Sequence, residues 1–207
     1  MKAERLERTI APVGAVARAC RMGVAGAMLL APLGLRAVAP VVTWTNAAGG
    51  LFTAPGNWNP SRVPGTNDNA TFKLALAPKT VDWSGPMTNC HLTVSGGSVV
   101  FNLNSQTQTV TVTDGKEPGI YFNTGAKVVI TNGVLIGTDT NKRHYWDNPG
   151  TRITVRDARI ALYCSLYLRS TISSFDNCAT LIVDGPGARV DAGGGLMLGS
   201  ARPGLRA

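Results

Sequence analysis

Asn141–Asn148, NKRHYWDN, gathers more chemistry-bearing side chains than any other eight residues of the chain. His144 with Asp147 has the composition of a base and its orienting carboxylate, and Tyr145 with Trp146 offers two rings against which a sugar could stack. Lys142 and Arg143 are the one adjacent cationic pair after residue 39, on a mildly basic surface that would suit acidic polysaccharide or lipid headgroups. The competing reading is a solvated loop whose aromatic rings fold back on the flank of the domain, because neighbours in sequence often point apart. In either case the six residues Lys142, Arg143, His144, Tyr145, Trp146 and Asp147 form the candidate glycan or partner loop.

Catalysis on a polysaccharide demands more. A glycoside hydrolase needs two carboxylates converging on one glycosidic oxygen, and a lyase needs clustered acidic groups for calcium and a basic group to take the proton. The acidic residues are dispersed, with no Asp-Asp or Asp-x-Asp pair. Gly-x-Ser-x-Gly, phosphate-binding and His-x-x-x-His patterns are missing, so other enzyme classes and cofactors have no foothold. No C-x-x-C occurs, and no metal site is expected from spacing. Beyond Cys20, three cysteines remain, Cys90, Cys164 and Cys178. An odd number allows at most one bridge, for which Cys164–Cys178 is the nearer pair, while three small buried hydrophobes is the alternative.

The elements that must carry these residues are strands. A β-branched triplet closed by a turn residue recurs as LTVSGG from Leu92, VTVTDG from Val110, VVITNG from Val128, ITVRDA from Ile153 and LIVDGPG from Leu181. Alternation such as Leu92 in, Thr93 out, Val94 in makes one buried and one wet face, and the following Gly or Asp permits a corner. The third positions, Val94, Val112, Ile130, Val155 and Val183, set an imperfect internal period. A sandwich would join antiparallel neighbours through hairpins and would not need one phrase at every turn. A solenoid would, because each coil passes through the same environment. The expected fold is all-β, a right-handed parallel β-helix, with Gly137–Gly150 and Arg169–Cys178 ejected as polar loops.

Residues 1–39 have the layout of a secretory signal peptide. Five basic residues up to Arg21 precede fourteen uncharged ones from Met22 to Leu35, too short a run for a membrane span. A buried helix is the alternative, weakened by Gly23, Gly26, Pro32 and Gly34. Without this segment, which holds six basic and two acidic residues, the chain's net charge falls from +8 to +4. The remaining positives are scattered, which argues against nucleic acid as a partner. Residues 40–80 read as an N-terminal cap, since Trp44, Phe52, Trp58 and Phe72 crowd together just before the repeats of residues 81–207, and the first coil of a stack needs cover. Trp58 as a sugar-stacking ring is the other reading of that segment.

The run Trp44-Thr45-Asn46, Gly49-Gly50, Phe52, Asn57-Trp58, Pro64-Gly65, Asp68, Ala70, Phe72 resembles the opening of secreted bacterial proteins with autotransporter-type β-strand repeats. Leu181–Gly199, LIVDGPGARVDAGGGLMLG, is similar to the repeat unit of that family. The resemblance covers about half of the chain after residue 39, and it implies a β-helical passenger or adhesin, secreted or held on a bacterial outer surface, with surface polysaccharide or other cell-surface components as partners. It also implies further coils beyond Ala207, because such proteins run for many more repeats. The expected function is a non-catalytic structural or adhesive module, with a carbohydrate-active or glycan-binding β-helix as the alternative.

Overall fold

Alternation of apolar and polar residues over segments of three to five, punctuated by Gly, Asn and Asp, cannot build long helices. The chain instead folds into short strands that turn a corner at each punctuation. In the computed structural model, the described residues are 37–73, 78–116, 118–140, 144–146, 150–170 and 179–200. Their only helical element is one 3-10 turn at Pro55–Asn57. No helix among them is long and apolar enough to cross a membrane.

The chain winds coil by coil. An opening coil holds β1 (Val41–Trp44), β2 (Gly50–Leu51) and β3 (Trp58–Asn59). The next two are β4 (Asn69–Phe72), β5 (Lys79–Asp82), β6 (Met87–Asn89) and β7 (His91–Val94), β8 (Ser98–Asn102), β9 (Thr107–Val110). Then come β10 (Ile120–Phe122) with the long β11 (Lys127–Gly137), and β12 (His144–Tyr145) with β13 (Arg152–Leu162). The last described turn has β14 (Leu166–Ser170), β15 (Thr180–Asp184) and β16 (Arg189–Ala192), and β17 (Leu196–Ser200) follows. Five turns therefore stack on the opening coil as a three-sided parallel β-solenoid.

One face runs β1-β4-β7-β10-β12-β14-β17, a second β2-β5-β8-β11-β13-β15. The third is β6-β9 continued by the second halves of β11 and β13 and by β16. β11 and β13 bend from the second face to the third at Asn132 and Asp157, both held at positive φ (55° and 48°), a conformation that Asn and Asp tolerate better than branched residues.

Each face turns one set of side chains inward. On the first face the inward columns are Val42, Ala70, Leu92, Ile120, His144, Leu166 and Trp44, Phe72, Val94, Phe122, Trp146, all buried. On the second they include Val81, Phe101, Ile130 and Val155, all buried, with Val183 half exposed above them. The third carries polar groups inside at its lower end. Gln108 accepts from Trp83 Nε1 at 3.0 Å and donates to Asn89 Oδ1 at 3.0 Å, while Asn89 donates to Gly65 O at 3.3 Å. That chain of bonds makes the burial tolerable.

The repeat read from sequence needs correction. Ile130, Val155 and Val183 do stack in one column, but Val94 lies on the first face and Val112 lies outside any strand, past the end of β9. All three faces need apolar–polar–apolar alternation, so the same phrase recurs within a coil and the alignment slipped between faces. The physical repeat is Val81, Phe101, Ile130, Val155, Val183, spaced by 20, 29, 25 and 28 residues. The expected loop 137–150 is corrected as well, since β12 lies within it as a full member of the first face.

Trp44, Phe52, Trp58 and Phe72 are all buried, which answers the reading of Trp58 as an open sugar platform. β3 pairs antiparallel with β1, Trp44 opposite Trp58, on the side of β1 away from β4. Gly49 shows how tightly the first coils fit. Its φ is +89°, and a Cβ there would run into the backbone carbonyl oxygen of Thr80 one coil on. Gly49→Ala is expected to destabilise the protein by about 2 kcal/mol or more, read as a lower urea midpoint at unchanged slope.

Candidate functional site

Two clusters bring together groups that could form a site, one expected and one not. The expected cluster surrounds β12. Lys142, Arg143 and Asp147 lie outside the described residues, as does Cys178 of the expected Cys164–Cys178 bridge and nearly all of the expected signal peptide. His144 and Trp146 are described, and both point into the core, 1% and 0% exposed. Trp146 stacks on Phe122 with ring centroids 5.2 Å apart. These two side chains are therefore not a solvent-facing base and sugar platform. Tyr145 occupies the intervening position of the strand, in register with Tyr121 and Tyr167.

The chemistry of His144 follows from its burial. Nδ1 accepts the Ile120 backbone N–H at 3.2 Å, so in the neutral ring Nε2 carries the proton. Among the described residues Nε2 has no hydrogen-bond partner, and neither has Trp146 Nε1. Gly137 lies against Nε2 so closely that a Cβ there would stand 2.5 Å from it. Burial pushes the imidazole pKa down to about 4, with Asp139 pulling weakly the other way. A neutral, enclosed histidine of this kind fills core space and is poorly suited to exchange protons with a substrate.

The unexpected cluster lies at the corner between the third and first faces. Cys90 joins β6 to β7, whose first residue is His91, and Asp114 lies one coil on, between β9 and β10. A sulfur, an imidazole nitrogen and a carboxylate oxygen, one from each, lie within 4.8 Å of one another, and all three residues are buried. His91 Nε2 stands 3.0 Å from Asp114 Oδ1, and Nδ1 stands 2.9 Å from the carbonyl oxygen of Pro118. Asp114 also accepts from the backbone N–H of Lys116 at 2.9 Å and of Ala39 at 3.2 Å. Although desolvation works against it, these donors hold the Asp114 carboxyl below its usual range. Cys90 Sγ accepts from the Thr113 N–H at 3.2 Å and hydroxyl at 3.3 Å.

Just below, Asp68 receives the backbone N–H groups of Cys90 (2.9 Å) and His91 (3.2 Å) on its carbonyl. Its carboxylate is paired with Arg62, which, opposed by desolvation, holds it below the ordinary carboxylate range. The sequence places Cys90 among the small buried hydrophobes and gives no local pattern that links it to His91 or Asp114. The signal was available only through the coil period, since residues about 23 apart meet where two corners stack.

No family model matches the chain, and comparison with curated proteins and with solved structures finds no match. The β-solenoid thus stands on the geometry alone.

Proposed function

We propose that the chain is a secreted structural or adhesive β-solenoid module of the bacterial cell surface, non-catalytic, meeting its partners along an outer column of the first face. The observation that carries this reading is the backbone register Thr93, Tyr121, Tyr145, Tyr167 on four consecutive coils. Parallel neighbours in a sheet are about 4.8 Å apart, so three tyrosine positions follow one another as closely as strands allow. Tyrosine combines a broad apolar ring with a polar tip, the composition of surfaces that hold sugars or other proteins. Positions fixed along one sheet meet a repetitive partner with little ordering cost. The resemblance of residues 44–72 and 181–199 to autotransporter-type repeats supports the surface setting.

The same column also suits the glycan-binding alternative, and one experiment separates the readings. The chain lacking residues 1–37 is incubated with acidic and neutral polysaccharides, and both retention and the appearance of reducing ends or unsaturated products are followed. Retention without new ends, lost in Tyr121→Ser/Tyr167→Ser, is the result for a glycan-holding adhesive column. Formation of new ends by purified protein overturns the non-catalytic reading. Retention that survives in the double variant overturns the column as the contact.

A further inference from the structure

The geometry points to a site for a zinc-type divalent cation held by Cys90 Sγ, His91 Nε2 and Asp114 Oδ1. A backbone carbonyl can only accept, so the 2.9 Å contact to Pro118 O fixes the hydrogen on Nδ1. In the neutral ring, Nε2 then presents a lone pair to Asp114 Oδ1 only 3.0 Å away. Two acceptors so close, both buried, need a positive centre between them. A proton can serve, but a proton leaves unexplained why the third member is a cysteine.

Cys90 Sγ closes the group within 4.8 Å and completes a sulfur, nitrogen and oxygen donor set. That set suits zinc and its neighbours among the divalent metals, and discourages calcium and magnesium, which want oxygen only. The surrounding bonds have the form of an outer shell. Pro118 O orients the imidazole so that Nε2 faces Asp114, Lys116 and Ala39 N–H orient the carboxylate, and the Thr113 N–H donates to the sulfur.

The consequence is a staple across coils. Cys90 and His91 belong to one corner and Asp114 to the next, while Ala39 stands before the first strand. A cation here would tie the N-terminal segment to the third and fourth rungs of the first face.

The test is a cobalt titration of the full chain, reduced and stripped of metal. One equivalent of Co2+ should develop a sulfur-to-cobalt charge-transfer band and tetrahedral d–d bands, and Zn2+ should bleach both. Asp114→Asn should weaken binding roughly 10–100-fold, as loss of a ligand or its support does, and Cys90→Ser should abolish the charge-transfer band. Because Cys90→Ser could fail to fold, the Cys20→Ser/Cys164→Ser/Cys178→Ser chain, in which Cys90 is the only thiol, provides the second measurement. The band persisting there supports the site. A folded wild type without the band, a band that survives in folded Cys90→Ser, or a band missing from the folded chain with Cys90 alone overturns it.

Discussion

Phe72→Ala is expected to lower the stability of the protein by about 4–5 kcal/mol, at the upper end for an aromatic truncation. Phe72 is fully buried and touches four other rings: Trp44 at 5.7 Å, Phe52 at 6.5 Å, Trp58 at 5.3 Å and Phe101 at 4.9 Å between centroids. It therefore links the opening coil to the third, and each aromatic pair adds about 0.5–1.5 kcal/mol beyond the area it hides. The surrounding rings are themselves held: Trp58 Nε1 donates to Phe52 O at 2.7 Å, and Trp44 Nε1 to Asn46 O at 2.7 Å. They cannot collapse into the cavity without breaking those bonds, so the vacated volume persists and its cost with it. Urea unfolding followed by tryptophan fluorescence gives the measurement. Tyr163→Ala, at a side chain more than half exposed, is the control and should stay within about 0.5 kcal/mol. A midpoint for Phe72→Ala indistinguishable from that control would show that the aromatic segment does not hold the opening coil.

The aromatic segment was legible because its residues are large and apolar and its turns are marked by Pro60, Pro64 and Gly65. Strand content was legible for a similar reason, since alternations such as Leu92, Thr93, Val94 have a period of two that no helix can use. The period of the solenoid was harder to read. Three faces present the same alternation to one core, so Val94 and Ile130 look equivalent in sequence although they belong to different sheets. Pairing partners, not local pattern, distinguish faces, and parallel partners are 20 to 31 residues away.

The loop around His144 failed for a different reason. Lys142, Arg143 and Asp147 surround it with charge, and a polar composition reads as solvent-exposed. What decides the matter is that His144 and Trp146 are two apart and continue the columns of Ile120 and Phe122. The coil below had already fixed which positions turn inward. Cys90, His91 and Asp114 were hidden by topology alone, because metal-binding patterns are recognised by short spacings and this group is assembled from two coils.

Acidification supplies the second large effect. The His144 pKa is about 4 in the folded chain against 6.5 for the free side chain, so between those values the unfolded chain binds a proton that the folded chain refuses. Stability is therefore fully present above about pH 6.5, falls as the pH drops through the window, and levels off near pH 4. A shift of this size is worth on the order of 3 kcal/mol, at 1.36 kcal/mol for each pKa unit. The cause is local. Charging the ring would put a proton on Nδ1, break the bond from Ile120 N–H, and leave an imidazolium enclosed among Gly137, Leu162 and Gly119. Asp139 offsets part of that penalty. The carboxylates Asp68, Asp114 and Asp191 have lowered pKa values and stabilise the fold until the pH falls below their usual range, so they do not share this window. Unfolding free energies measured from pH 7.5 down to 4.5 in steps of about half a unit should slope downward in the wild type, as linkage to one proton requires. In His144→Gln, whose amide oxygen can still accept from Ile120, the slope should flatten by that one proton. Equal slopes in the two proteins would mean that the ring reaches water, and with it that the fifth coil is open on its first face.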